Sequence, residues 1–450
     1  MSFQRKLLVV ALASVLPMMS AHAQSSADLK KEIEALKAQL QALTAKVEAL
    51  SAQPDTSALV QQVNRIEQKQ ELAADDQEKS GFKGVKFNGV IEAALSYDDL
   101  GKSNNFSSSG GSGYGGENAM IQITKESQDG EGVDWTLRLL PGSASYFVQE
   151  ASISIPVNKE NRIIGGLIPD YQGYEYVFSN ANPTLGNQLI SHNALYDLVG
   201  PTAYAGIGMS HTFANGTYAL KWIVGNIDPS YDPADTPSTS TAAPAVTKSV
   251  GFAARGDWYI NEYSYLGLSV AHGSANRNFD VFAIDGGYTH GDWAFNGQLS
   301  GGTQRYAAAN GSDATWTGVS GLMSYKVMPR LQLIARADYI DNRSNGGGTY
   351  AYNGDSGPAQ IVDIFGNPTG DWTSGLGLGS ERDSAGNVID ANVGANLTRI
   401  TLGTNYQINP NTQWKVEYRV DQSTGYNFRD IDGNFKQTRS MFGTSLVLSF

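Results

Sequence analysis

Between positions 412 and 423 the chain alternates two kinds of residue without a slip. Trp414, Val416, Tyr418 and Val420 fall on one face of an extended strand, and Lys415, Glu417, Arg419 and Asp421 fall on the other. Four successive charges on one face exclude a sheet buried on both sides. The large apolar face opposite excludes one wetted on both sides. Such a strand suits a transmembrane β-barrel, apolar towards lipid and polar towards the lumen. Because lipid cannot satisfy backbone hydrogen bonds, a spanning sheet must close on itself. Residues 87–97 repeat the pattern, with Phe87, Gly89, Ile91, Ala93, Leu95 and Tyr97 on one face and Asn88, Glu92 and Ser96 on the other.

Composition agrees with this reading. Of 450 residues only 17% are charged, against about 25% in an ordinary soluble protein. The mean hydropathy of −0.29 is nevertheless too polar for a bundle of membrane helices. The chain carries 50 glycines and 22 tyrosines, as close-packed strands with an aromatic girdle require. The absence of cysteine excludes a disulfide scaffold and thiolate chemistry. A net charge of −12 argues against nucleic acid as a partner.

The first residues carry an address. Arg5 and Lys6 precede the apolar stretch 7–19, and Ala21-His22-Ala23 supplies small residues at a cleavage site. Residues 1–23 are therefore read as a signal peptide. In 24–80, Leu29, Ile33, Leu36, Leu40, Leu43, Val47 and Leu50 are spaced 4, 3, 4, 3, 4, 3, the seam of a short α-helical coiled coil. Pro54 ends that helix, and Leu59, Val63 and Ile66 carry a weaker second seam. A helix this short is marginal alone, so self-association is expected, as a homotrimer with a dimer left open. This segment is placed in the periplasm.

Residues 81–450 form the barrel. The alternation predicts sixteen antiparallel strands, near 85–97, 117–126, 132–141, 147–156, 161–169, 202–213, 217–226 and 248–258. The others fall near 263–272, 279–290, 292–303, 314–327, 330–341, 396–408, 412–422 and 439–450. The pattern is faintest near 147–156, 161–169 and 279–290, which keeps eighteen strands as an alternative count. Short turns such as 214–216, 260–262 and 409–411 alternate with longer loops at 98–116, 170–201, 227–247, 342–395 and 423–438. Short periplasmic turns and longer external loops are the asymmetry of outer-membrane barrels. Trp135, Trp222, Trp258, Trp293 and Trp414 fall mostly near strand ends on the outward face, as an interfacial girdle does.

The last strand places Phe442, Thr444, Leu446, Leu448 and Phe450 on one face and ends on the aromatic ring. This resembles the closing strand of Gram-negative outer-membrane barrels, which implies recognition by the barrel-assembly machinery through Phe450. The run from Val148-Gln149-Glu150-Ala151 to Gly166-Leu167 and Gly173-Tyr174-Glu175 is similar to the OmpL-like porins and the phosphate-selective porins of the O and P type. Asn193-Ala194-Leu195-Tyr196, Gly200-Pro201, Ala205-Gly206-Ile207 and Gly225-Asn226 carry the same resemblance. A dense ladder of Arg and Lys, which phosphate-selective members would carry, is missing from the early strands.

The resemblance implies an outer-membrane porin, passing small hydrophilic solutes or ions by passive diffusion, in contact with lipid and lipopolysaccharide. It also implies that the third external loop, 170–201, folds inward. That loop carries Asp170, Glu175 and Asp197 and no Lys or Arg. The alternation points Arg336, Arg399, Lys415 and Arg419 into the lumen as a basic wall facing it. Asp338, Glu417 and Asp421 sit beside those cations, so simple pairing is the competing reading. Inward acids and bases balance overall, and sixteen strands imply an aqueous lumen without an apolar core.

No cofactor or metal is expected, and an enzyme is not. His192, His211, His272 and His290 are scattered, with no nucleophile elbow or metal-spaced cluster beside them. Asp430-Ile431-Asp432-Gly433-Asn434 has part of a calcium-loop pattern but lacks its closing Glu, so an Asp-Gly turn is preferred. The acids of 342–395 are read as solvated, with cation bridging to lipopolysaccharide as the alternative. A structural or adhesive barrel tethered to the cell wall by its coiled coil is the alternative function.

Overall fold

A computed structural model describes residues 84–450, apart from 101–102, 108–118, 128–131, 141–147, 170, 176–185, 200–202, 229–249, 275–277, 306–307, 309 and 348–378. The signal and coiled-coil assignments lie outside the described residues. The strands are β1 (Val85–Asp98), β2 (Ala119–Lys125), β3 (Asp134–Leu139), β4 (Val148–Pro156), β5 (Asn161–Pro169), β6 (Ala203–Phe213), β7 (Tyr218–Asp228) and β8 (Gly251–Asn261). They continue as β9 (Ser264–Ser274), β10 (Asn278–His290), β11 (Trp293–Gln304), β12 (Ala314–Met328), β13 (Leu331–Asp341), β14 (Leu397–Asn409), β15 (Thr412–Ser423) and β16 (Thr438–Ser449). Each pairs antiparallel with its neighbours in sequence, and β16 pairs with β1, so the sixteen-stranded sheet closes. The count read from the alternation holds, and strand ends agree to within a few residues.

Closure rests on the chain end. Phe450 N–H donates to the Gly89 carbonyl at 2.9 Å, and Gly89 N–H donates to the Phe450 carbonyl at 2.8 Å. The Phe450 ring lies where any Cβ at position 89 would sit, 2.1 Å from its Cζ. Ser103–Ser107 also pairs with the outer end of β1, extending the wall beside it.

The two faces separate as expected. Phe87, Ile91 and Tyr97 are exposed on the outside of β1, while Glu92 and Ser96 are buried inside. On β15 Trp414 and Tyr418 are exposed, and Lys415, Glu417, Arg419 and Asp421 are buried inside. Trp258, Trp293 and Trp414 are exposed outside beside short turns, where a girdle belongs. A one-residue slip in register would invert every one of these side chains, so the pattern pins the pairing.

One expectation fails. The lumen contains an apolar core, because inward Tyr204, Ile223, Ile227, Ala253, Phe279, Val281 and Trp316 pack with Tyr171, Leu195 and Phe428 from loops. The inward positions of β6–β12 supply apolar residues near their outer ends, and folded-in loops give them something to bury against. In the outer loops, Asp430 accepts from the backbone N–H of Asn434 at 2.8 Å, the preferred Asp-Gly turn. Asp383 accepts from Ala385 and Asn387 in a matching turn, and the Asn387 side chain holds its carboxyl below the usual carboxylate range. Among the described residues no group of acids and histidines is arranged to hold a metal ion.

Candidate functional site

The third external loop enters the barrel. Its described parts are 171–175 and 186–199, the latter ending in α1 (Ala194–Val199). Arg255 on β8 fixes the first part, donating to the Tyr171 carbonyl at 2.8 Å while Asp285 and Asp257 hold the guanidinium. The Tyr174 hydroxyl pairs with Ser320 on β12 at 2.7 Å. Glu175 accepts from Arg336 on β13 at 2.9 Å and from the backbone N–H of Asn193 at 3.0 Å.

The second part lies along β13–β15, and the wall holds it mainly by its backbone. Glu417 accepts from the N–H groups of Ile190 and Ser191 at 2.7 and 3.0 Å and from the Ser191 hydroxyl. Asp338 accepts from Ala194 N–H at 3.1 Å. Lys415 donates to the Asn187 carbonyl, and Asn405 to the Gln188 carbonyl at 2.8 Å. Arg336 donates to the carbonyls of Ser191 and His192 at 2.8 and 2.6 Å, and Arg399 to that of His192 at 3.2 Å. Charge-assisted bonds of this kind are about twice as strong as neutral ones.

Shape completes the contact. A Cβ on inward Gly318 would sit 2.3 Å from Leu195 Cδ2, and one on Gly403 would sit 2.4 Å from Leu189 Cδ2. Strand glycines here make niches for two leucines of the loop. Leu189 packs further on Leu322, Ile334 and Tyr174. His192 stacks on Tyr196 with ring centroids 4.1 Å apart.

Of the residues read from sequence, the structure brings Glu175 and Arg336 into direct contact. Arg399 and Lys415 donate to backbone carbonyls of the loop. Arg419 pairs with Asp421 at 2.9 Å, and Asp421 also takes Arg399 at 2.8 Å. Asp338 lies 3.3 Å from Arg336. Asp170 lies outside the described residues, as does the side chain of Asp197, whose backbone belongs to α1. Sequence reasoning missed the part played by Glu417 and Asp338 as acceptors for loop amides, and the niches at Gly318 and Gly403. An inward glycine in the middle of a strand was the available signal.

Across the lumen, β3–β5 carry charges of another kind. Arg138 lies 3.3 Å from Glu150 and bonds to Gln122 at 2.8 Å. Arg162 lies 2.7 Å from Asp134. These four side chains keep 14–31% of their surface, whereas Arg336, Asp338, Arg399, Arg419 and Asp421 keep 0–5%. The lumen thus has a dry wall that holds the loop and a wet wall that faces it.

The chain aligns with OmpT, an outer membrane protein of Vibrio cholerae, in a loop-L8 deletion form: 12% identity, 81% of this chain and 99% of that one, TM-score 0.48. The anion-selective porin from Comamonas acidovorans aligns at 11% identity over 81% and 99% of the two chains, TM-score 0.48. The outer membrane channel DcaP of Acinetobacter baumannii aligns at 12% identity over 81% and 97%, TM-score 0.46. No curated protein matches the chain. The family model for the OmpL-like putative beta-barrel porin-2 matches residues 84–450 without a break. With that model spanning the whole barrel, the chain belongs to the OmpL-like porin-2 family, whose members are outer-membrane β-barrels.

Proposed function

We propose that the chain is a passive channel of the outer membrane, filled with water and narrowed by its third loop, for small hydrophilic solutes or ions. The carrying observation is that loop residues 187–194 bond to lumenal side chains of β13–β15. A loop fixed against one wall narrows a barrel and leaves the wet wall to solvent. In this reading Asp170, Glu175 and Asp197 belong to the constriction loop, and Arg336, Arg399, Lys415 and Arg419 to the wall that carries it. Planar bilayers with purified protein are expected to show discrete conductance steps. A silent bilayer, with folding verified by heat-modifiable gel mobility, would favour the structural or adhesive barrel instead.

The rest of the proposal concerns the chain's surroundings. Residues 1–23 direct export, 24–80 form a periplasmic coiled coil joining three copies, and Phe450 is read by the assembly machinery. The outer face meets lipid and lipopolysaccharide. Deleting 24–79 is expected to lower the mass of the detergent-solubilised assembly towards that of one barrel, read by light scattering. An unchanged mass removes the coiled coil from assembly.

A further inference from the structure

The charges of the wet wall come in close pairs. Arg138–Glu150 spans 3.3 Å and Arg162–Asp134 spans 2.7 Å. Asp134 is opposite Ser154 and Arg162 opposite Pro156, so the two pairs lie four to six residues apart along β4, about 13–20 Å.

Each pair presents both signs to the lumen side by side. An ion of either sign is drawn to one member and repelled by the other, so the net gain is small. A solute carrying an ammonium and a carboxylate a few ångströms apart can align against both members at once. Such a pore favours dipolar solutes over simple ions. The dry wall cannot compete for this role, because its charges are spent on the loop or on one another and are sealed from water.

Resting on the channel reading above, we propose that the solutes served by this pore are small zwitterions of the amino-acid class, passed along Arg138–Glu150 and Arg162–Asp134. Lys221 is inward, opposite Arg255, and exposed; it forms no ion pair among the described residues.

The test compares swelling of liposomes holding the full-length protein in alanine and in lactamide, its uncharged isomer, each corrected for protein-free vesicles. Wild type is expected to pass alanine at least about threefold faster. A variant with Arg138→Gln, Glu150→Gln, Arg162→Gln and Asp134→Asn is expected to lose that preference while still passing lactamide. A second variant, Arg138→Glu with Glu150→Arg, keeps a pair of reversed sense and is expected to keep the preference. Heat-modifiable mobility verifies that each variant is folded. Equal rates for the two isomers in wild type, or an undiminished preference in the fourfold variant, overturn the proposal while leaving a channel. Swelling in neither solute overturns the channel itself.

Discussion

Replacing Arg336 with methionine is expected to raise single-channel conductance by about twofold or more and to make the open level noisy. Arg336 is the most heavily used cation of the dry wall, bonding Glu175, the Ser191 carbonyl and the His192 carbonyl, with Asp338 alongside. Removing it leaves two buried carboxylates without their main counter-charge. Breaking a buried ion pair from one side costs about 3–5 kcal/mol. The barrel's ladder bonds are untouched, so the cost falls on the loop, which leaves the wall and clears the lumen. Arg419→Met is the comparison, because the acid Arg419 pairs with is Asp421 of its own strand, whereas Arg336 pairs with Glu175 of the loop. Bilayer recordings of the two variants decide the matter. Conductance and noise unchanged in Arg336→Met would show that the loop is held without it.

Deleting Phe450 is expected to remove most of the folded, heat-modifiable protein. The residue supplies both backbone bonds to Gly89 at the seam where the sheet closes, and its ring covers that glycine. In lipid an unpaired backbone group costs several kcal/mol, and no water replaces the lost partner. Phe450→Ala separates two effects, since it keeps the backbone pair and loses only the ring. A deletion that folds as well as wild type, by gel mobility after extraction from membranes, would show that the seam closes without its last residue.

The barrel was legible in the sequence because lipid forces every spanning strand to be two-faced. Lys415, Glu417, Arg419 and Asp421 could alternate with Trp414, Val416, Tyr418 and Val420 for no other compact reason. The same rule located the short turns and hence the third loop. It stopped at the lumen surface. Alternation tells which way Arg336 points but not what covers it, and a cation facing water has the same sequence signature as one pinned under a loop. Neighbouring acids hinted at pairing, and Asp338 and Asp421 do pair. Glu417 instead serves loop amides 190 and 191, a contact separated by more than two hundred positions and invisible to any local pattern. The apolar core inside the outer mouth was missed because inward Tyr204, Ile223 and Trp316 look like strand noise until loops arrive to bury them.

Along 187–194 the wall grips the peptide planes of 187, 188, 190, 191, 192 and 194, while the side chains of Gln188, Leu189, Ser191 and Asn193 engage it as well. Peptide planes are common to every residue but proline. Here the backbone half of the contact tolerates a change of side chain, because its partners are the side chains of β13–β15. The barrel is in effect a mount that fixes the course of the loop by its peptide planes and its place by Leu189 and Leu195.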